Sequence, residues 1–359
     1  MIADVVFSRQ TIRRGLLALV VVVSTACHRA NDNVSSQDAS GVAARLPIAW
    51  VADDRMILAR IFQSTIDRDA ARVECGRTGL YELTPRAQIA LVVGDRLCDV
   101  VATQDGTGDP DGHIVAYVRG DSILMVSVDD GTVSGAKPGL RSLGGPPAWS
   151  PSGRRLALVA RDEDRRHGDS TMLGLYLMDR DVRDIRLVRE LGSVRLAGVP
   201  SWSPDGRELV VSVYEHGSGP WAGRMVAVDT VTGEVRDLGA GYAPAWSPVG
   251  SQLAYITFSD PNRGSTREAS TVPQSAQLHV MMFDSGSDRV IFSWADSAMV
   301  DERTGGSAHG LPGTRLLWSP SGDRILFGNE RRGVTDLYVI DVNGGDAQRL
   351  TADVLRGRR

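Results

Sequence analysis

Short apolar segments alternate with tight polar turns along most of this chain. Four turns share a tryptophan-serine-proline core that ends on glycine, and they read WSPSG (Trp149–Gly153), WSPDG (Trp202–Gly206), WSPVG (Trp246–Gly250) and WSPSG (Trp318–Gly322). A fifth turn, DPDG at Asp109–Gly112, lacks the tryptophan. Proline fixes φ at the second turn position, and glycine supplies the positive φ that returns the chain to a sheet. Each motif therefore predicts a tight hairpin between two strands.

The segments after the turns have the composition and length of strands. A second strand is predicted over Arg155 to Ala160, Glu208 to Val213, Gln252 to Thr257 and Arg324 to Gly328. A third apolar run then ends on aspartate, at Asp179, Asp229 and Asp341. A weaker fourth strand completes each unit, as in DAQRLT over Asp346 to Thr351. No long amphipathic helix pattern competes with this interpretation.

The repeated unit predicts the fold class. Six units begin near Trp50, Asp109, Trp149, Trp202, Trp246 and Trp318. A period of roughly 40–50 residues, filled only by short strands, is typical of a propeller with one blade per repeat. We therefore expect an all-β fold: a six-bladed β-propeller of four-stranded antiparallel blades over residues 47–355.

The motif order identifies a family resemblance. WSPDG, an apolar strand, a DLYVID-type run and a closing RLT together resemble the TolB-type β-propeller repeat. The resemblance covers nearly all of the chain after residue 46, and it is strongest in the last four units. It implies a six-bladed propeller of the kind found in bacterial envelope proteins and in the propeller domains of some peptidases.

The first residues have the pattern of an export signal. Arg9, Arg13 and Arg14 precede the apolar run Leu16 to Val23, and Ser24-Thr25-Ala26-Cys27 follows it. A basic start, a short apolar core and small residues before a cleavage point describe a secretory signal over residues 1–26. Cysteine after small residues resembles a lipoprotein signal, which predicts acylation of Cys27. Cleavage after Ala26 without acylation is the alternative, and it would release a soluble protein.

The expected location follows from this signal. The polar stretch His28 to Ser40 fits a flexible tether, so residues 27–46 are assigned to the acylated cysteine and its linker. The prediction is an exported outer-membrane lipoprotein that faces the periplasm or the cell surface. Acyl chains would be its only contact with a membrane. The formal net charge of −4 disfavours general binding to nucleic acid, and the protein is expected to act as a monomer.

Two further cysteines, Cys75 and Cys98, remain after Cys27 is assigned to the anchor. An oxidising compartment favours a disulfide between them. Our strand assignment places both at the same end of the propeller, which is compatible with a bridge. Two buried free thiols are the alternative.

Catalytic signatures are missing from the sequence. It has no G-x-S-x-G elbow, no H-E-x-x-H, no Walker-type loop and no dinucleotide fingerprint. Asp109, Asp111 and Gly112 weakly resemble a calcium loop, but Val118 stands where that loop needs a glutamate, so a hairpin turn is the better interpretation. The protein is expected to be non-catalytic, with no cofactor and no metal.

Loop lengths indicate which end of the propeller is used for recognition. Turns between the first and second strands are mostly tight, and those between the third and fourth are short. One longer segment, around Thr103 to Asp109, faces the same end as these turns. The other connections are long: Phe62 to Arg77, Arg161 to Met172, Tyr214 to Ala222, Phe258 to Gln277 and Ala295 to Pro312. Long loops carry binding sites more often than tight turns do. We call this end the long-loop end and the opposite end the short-turn end.

Candidate binding residues are the aromatic and basic side chains of these loops, which are types enriched at interface hot spots. They are Arg165, Arg166, His167, His216, Trp221, Arg263, Arg303 and His309. Ordinary solvated loop residues are the alternative for each, and Trp294 beside them is either a contact residue or a packed strand end. The predicted partner is an envelope protein or polymer.

Two other function classes stay open. His167, His216 and His309 from different blades could converge above the channel and hold the metal of a lyase-type enzyme. The channel mouth could instead bind a glycan or another small ligand.

Overall fold

The structure is a computed structural model that describes residues 41–52, 55–67, 70–73, 79–83, 89–93, 106–141, 145–167, 170–192, 194–215, 223–258, 276–294, 315–331 and 334–350. Near several strand ends only the backbone is described. Strands account for nearly all of the regular structure in these ranges.

The first three blades follow one another along the chain. Blade 1 contains β1 (Gly41–Val51), β2 (Arg55–Asp67), β3 (Ala70–Val73), β4 (Gly79–Leu83) and β5 (Ile89–Val93). Blade 2 contains β6 (Thr107–Gly108), β7 (Ile114–Arg119), β8 (Ser122–Ser127) and β9 (Val133–Ala136). Blade 3 contains β10 (Ala148–Trp149), β11 (Arg155–His167), β12 (Ser170–Asp179) and β13 (Arg186–Gly192).

The last three blades continue this order. Blade 4 contains β14 (Val194–Ala197), β15 (Ser201–Trp202), β16 (Glu208–Glu215), β17 (Arg224–Asp229) and β18 (Val235–Ala240). Blade 5 contains β19 (Tyr242–Trp246), β20 (Gln252–Phe258), β21 (Ala276–Met282) and β22 (Asp288–Trp294). Blade 6 contains β23 (Leu316–Trp318), β24 (Arg324–Arg331), β25 (Val334–Asp341) and β26 (Gln348–Arg349).

Each blade is an antiparallel meander of consecutive strands. Blades 1 and 4 each contain a fifth, short strand. Strand β3 pairs with β2 in blade 1, and β15 pairs with β16 in blade 4. The blades form a closed ring, because β1 of the first blade packs against β23, β24 and β25 of the last. The predicted six-bladed propeller is therefore confirmed. Strand β1 begins at Gly41, so the domain boundary expected at residue 47 lies inside this strand.

The motif serine caps its hairpin in blades 3, 4 and 6, where its Oγ accepts from the N–H five residues on. The Ser203 N–H donates to the carbonyl of Glu208 at 2.9 Å, and the Glu208 N–H donates to Ser203 Oγ at 2.9 Å. Asp109 takes the serine's place in blade 2, where its carboxylate accepts from the N–H groups of His113 and Ile114. Gly112 N–H donates to the Asp109 carbonyl at 3.0 Å. The interpretation of this segment as a hairpin turn is correct.

The core lies between the blades. Six hydrophobic clusters occur in the described part of the chain, and each joins two neighbouring blades. Trp50 belongs to one of them, and the four motif tryptophans belong to four others. Three donate Nε1–H to the inner strand of the preceding blade: Trp149 to the Thr107 carbonyl at 3.0 Å, Trp202 to Ala148 at 3.0 Å, and Trp318 to Ala245 at 2.8 Å. The tryptophans are therefore wedges between blades, as predicted.

The contact between blades 1 and 2 has no such wedge, because Gly108 stands at the tryptophan position. A Cβ atom on Gly108 would lie 2.5 Å from the Cβ of Ala49 on β1, which is too close for any side chain. Tyr117 is fully buried in the cluster between these blades, and its ring would lie 2.6 Å from a Cβ on Gly106. The missing tryptophan thus allows a closer approach of the two inner strands.

Two loops predicted at the long-loop end contain strand. Strand β11 runs to His167 and pairs with β12, with His167 opposite Ser170. Likewise β2 runs to Asp67 and pairs with β3. The second strand of blade 3 was predicted to end at Ala160, so this boundary was wrong. Backbone pairing across a hairpin satisfies N–H and C=O groups whatever the side chains, and a polar sequence can therefore extend it.

Candidate functional site

A channel runs through the centre of the ring. Its walls are the innermost strands of all six blades, and the cavity inside them has a volume of about 1080 Å³. The lining is mainly proline, tryptophan and small apolar side chains. A cavity of this size with apolar walls and few polar groups has the character of a ligand site.

The chain direction defines the two ends of the channel. Each inner strand runs toward its tryptophan-serine-proline turn, so that turn marks the short-turn end. Five turn prolines line the channel there: Pro110, Pro151, Pro204, Pro248 and Pro320. Tyr214, at the end of β16, and Tyr242, at the start of β19, line the channel at the long-loop end.

An aromatic group borders the long-loop mouth between blades 4 and 5. The rings of Tyr214 and Tyr242 meet edge to face at 6.2 Å, and Tyr242 meets Phe258 in the same way at 5.6 Å. Ala243 follows in the lining with a φ of 49°, a left-handed conformation that costs a non-glycine residue energy. A register shift between Tyr242 and Ala245 accommodates it. The bulge thus places Tyr242 at the channel wall.

Charged groups are rare in the described lining. The basic side chain in this lining is Arg315, whose Nη1 donates to the carbonyl of Gly106 in blade 2 at 2.5 Å. Asp109 is the carboxylate in the lining, and it accepts from two backbone N–H groups at 2.8 and 2.9 Å. The described channel wall is therefore apolar, aromatic and almost free of charge.

A partly buried hydrogen-bond chain crosses blade 5 away from the channel lining. The distance between Thr257 Oγ1 and His279 Nε2 is 2.9 Å, and that between His279 Nδ1 and Asp288 Oδ2 is 2.8 Å. Tyr255 stacks on the imidazole at 4.9 Å between centroids. Burial, followed by the negative charge of Asp288, raises the pKa of Tyr255. The phenol therefore stays protonated, and the chain satisfies the polar atoms of His279 inside the blade.

Sequence reasoning missed this group. The partners of His279 lie on the strands before and after it, at Thr257 on β20 and Asp288 on β22. Their proximity depends on strand register, which no motif in the sequence indicates. Within the described residues no group of three or more histidine, cysteine, aspartate or glutamate side chains could hold a metal ion.

Neither a known protein family model nor the sequence of a characterised protein matches the chain. Solved structures do match. A putative TolB from Agrobacterium tumefaciens is similar with a TM-score of 0.51 at 18% identity, covering 74% of this chain and 84% of that one. TolB from Acinetobacter baumannii is similar with a TM-score of 0.50 at 13% identity, covering 86% and 84%. The chain has the TolB-type propeller fold.

Another structural neighbour is an oligogalacturonate lyase in complex with manganese, with a TM-score of 0.49 at 12% identity and coverage of 88% and 86%. At these identities the similarities describe the fold of the chain. Evidence on function therefore comes from the residues of this chain.

Three of the sequence-predicted site residues fall within the described backbone. Arg165, Arg166 and His167 end β11 at the long-loop end, where Arg166 pairs with Thr171. They lie on an extended hairpin instead of the irregular loop that was expected. The other candidates lie outside the described residues: His216, Trp221, Arg263, Arg303, His309, Cys27, Cys75 and Cys98. Convergence of the three predicted histidines, the disulfide and the acylation thus stay predictions.

Trp294 is described, and it is a packed strand end. It ends β22, is only 3% exposed, and meets Phe292 at 5.0 Å and Phe327 at 5.3 Å between ring centroids. This position joins blades 5 and 6 through the hydrophobic cluster that they share. Trp294 therefore belongs to the core and offers no contact surface.

Proposed function

We propose that the protein is a non-catalytic binding protein of the cell envelope that recognises a protein or an envelope polymer through its long-loop end. One observation carries the proposal. The central channel is lined by aromatic and apolar side chains, and its aromatic group lies at the same end as the long connections. Recognition surfaces commonly combine such anchors with loops held on a rigid scaffold.

The chemistry of the described channel wall supports binding over catalysis. Asp109 is engaged by backbone N–H groups, and Arg315 donates to a backbone carbonyl. A general acid or base needs a titratable side chain within reach of a substrate. The described wall offers apolar contact area instead, which suits a partner that inserts an apolar or aromatic group.

A small-ligand binder at the channel mouth is a second candidate function. Tyr242 favours it, because this half-buried ring lies at the wall of a cavity of about 1080 Å³, and ligand pockets are commonly lined by apolar and aromatic side chains. Thermal-shift measurements with oligosaccharides and other small molecules would separate this candidate from a macromolecular partner.

The proposed location is the outer membrane, with Cys27 acylated and the propeller facing the periplasm or the cell surface. A soluble exported protein is the alternative. Within the described residues no helix is long and apolar enough to cross a bilayer. Fractionation of cells that express the Cys27→Ser variant tests the anchor, because the variant should leave the membrane fraction if acylation holds the protein there.

Partner capture after crosslinking in cells tests the binding face. Trp221→Ala, and separately a shortened segment between Phe258 and Gln277, should each reduce capture of a specific partner. Val231→Ser is the matched control, since Val231 is 78% exposed in a turn at the short-turn end. Capture that is lost with Val231→Ser and kept with both long-loop variants would contradict the proposed face.

A further inference from the structure

Three side chains on neighbouring strands of blade 5, which we call the threonine triad, are joined in a line by hydrogen bonds. Thr257 Oγ1 lies 2.9 Å from His279 Nε2, and His279 Nδ1 lies 2.8 Å from Asp288 Oδ2. A hydroxyl next to an imidazole that a third group orients is the arrangement that activates serine and threonine nucleophiles. The triad therefore contains a nucleophile, a base and an orienting carboxylate in the order in which they act.

The carboxylate determines which nitrogen of the imidazole carries the proton. An ionised aspartate only accepts hydrogen bonds, so Nδ1 of neutral His279 donates to Asp288. Nε2 is then the acceptor, and the Thr257 hydroxyl donates to it. Tyr255 stacks on the imidazole with 4.9 Å between centroids and 18° between the ring planes, which fixes the orientation of the ring. His279 Nε2 is thus placed to take the threonine proton.

The hydroxyl end of the triad is less buried than the base. His279 is 9% exposed, whereas Thr257 is half-buried and Gln277, its partner across the β20–β21 pair, is exposed. Directly opposed residues of an antiparallel pair share one face of the sheet, with Cβ atoms about 4.5–5.5 Å apart. A side-chain amide therefore lies beside the hydroxyl and can donate to an oxygen that gains negative charge there.

The same face offers apolar contact for a short acyl group. Tyr255 and Met281 place this face of blade 5 in the cluster shared with Met225 of blade 4. On β22, Val290 pairs with His279 and is 46% exposed, so the face is open to solvent at this position. The three triad residues do not belong to the channel lining. The triad thus opens on a partly apolar surface outside the channel.

We propose that Thr257 is a nucleophile that accepts an acyl group from an activated ester, with His279 as its base and Asp288 orienting that base. Thr257 Oγ1 forms a bond to the ester carbonyl carbon while its proton passes to His279 Nε2. The bond from this carbon to the leaving oxygen then breaks, and His279 gives the proton to the leaving group. The products are an acyl-threonine ester and a free alcohol or phenol. This covalent modification is independent of recognition at the long-loop end.

Incubation of the full chain with 4-nitrophenyl acetate, followed by peptide mass spectrometry, tests the nucleophile. An acetyl ester should appear on the peptide that contains Thr257, with an equivalent release of 4-nitrophenol. Acetylation of amines is confined to the amino terminus and to Lys137, the single lysine of the chain. Alkaline hydroxylamine removes an ester and leaves those amides in place, which distinguishes the two products.

Substitutions separate the roles of the three residues. Thr257→Val should abolish acetylation of this peptide, whereas Thr257→Ser keeps a hydroxyl and should retain it. His279→Gln should slow the reaction by about 100-fold or more, because the base is lost. Asp288→Asn should slow it by about tenfold or more, since an amide can stabilise the wrong tautomer of the imidazole. Thr132→Val is the matched control and should leave the rate unchanged, because Thr132 Oγ1 donates to Asp130 at 2.8 Å without a histidine.

Absence of an acetyl ester at Thr257 in the wild-type protein would overturn the proposal. Equal acetylation rates in the wild type and in folded His279→Gln would also overturn it, because the hydrogen bonds of the triad would then be purely structural. Urea unfolding of each variant shows whether it folds. If His279→Gln does not fold, the comparison of Thr257→Ser with Thr257→Val decides, and equal acetylation of the two would refute the nucleophile.

Discussion

At the residue scale, one tryptophan of the ring differs from its equivalents. Trp149, Trp202 and Trp318 donate Nε1–H to a carbonyl of the preceding blade. Trp246 is equally buried, at 8% exposure, but its Nε1 has no hydrogen-bond partner within the described structure. Its backbone N–H does bond Ser201 Oγ at 2.9 Å. A buried donor without a partner weakens this contact between blades 4 and 5.

This difference predicts unequal costs for the same substitution. Trp318→Phe removes a hydrogen bond of 2.8 Å and leaves the Ala245 carbonyl without this donor, so it should cost about 1–3 kcal/mol beyond the change in ring size. Trp246→Phe removes a donor without a partner and should lack this additional cost. Urea unfolding of the two variants measures the difference in the free energy of unfolding. Equal losses in both would contradict the assignment of the tryptophan hydrogen bonds.

At the element scale, the turns could be predicted because each is formed by a short sequence motif. The strand lengths could not, because they depend on pairing with a neighbouring strand. The tryptophan-serine-proline motifs encode their own caps and φ values, so each hairpin could be located from the sequence. The polar end of β11, read as a loop, is strand because it pairs with β12. The contact of Arg315 with Gly106 joins residues 209 positions apart, so no sequence pattern could indicate it. Most of the predicted binding face lies outside the described residues.

The turn of blade 4 predicts a pH dependence. Ser203 Oγ donates to Asp205 Oδ1 at 2.6 Å, and the Arg207 N–H donates to the same oxygen at 3.0 Å. These bonds, the serine's first, lower the pKa of Asp205 below its ordinary value of 3.8. A lowered pKa stabilises the fold above the unfolded-state value, and this contribution is lost as the pH falls through the folded-state value. Ser203→Ala should raise the pKa of Asp205 and reduce the loss of stability below about pH 4.

NMR titration of the Asp205 carboxyl, with urea midpoints between about pH 3 and 7, measures this effect. Ser150→Ala is the matched control, because Ser150 caps the same turn in blade 3 but contacts the hydroxyl of Ser152 at 3.2 Å instead of a carboxylate. Ser150→Ala should lower the free energy of unfolding by the same amount at every pH, so the dependence of stability on pH should not change. An unchanged Asp205 pKa in Ser203→Ala would show that the serine is not the cause.

At the scale of the whole molecule, the ring closes by packing. In the described residues each blade contains strands from one continuous segment, so no sheet joins the two ends of the propeller. Blades 1 and 6 meet through a cluster that includes Trp50, Leu58 and Leu337. Arg324 adds a cation–π contact at 5.1 Å from the Trp50 ring centroid. Side-chain burial therefore supplies a closure that backbone pairing between the terminal blades does not.

Because packing closes the ring, a destabilising substitution in blade 6 should also destabilise blade 1. Leu337 is fully buried, and Leu337→Ala should cost about 2–5 kcal/mol through lost burial and the cavity left behind. Hydrogen exchange should then show faster exchange at Ile57 and Leu58 of β2 as well as along β25. Leu278→Ala, an equally buried site between blades 5 and 6, is the control, and it should not selectively affect β2. If the faster exchange in Leu337→Ala stayed within blade 6, the two terminal blades would be independent and the ring would be open in solution.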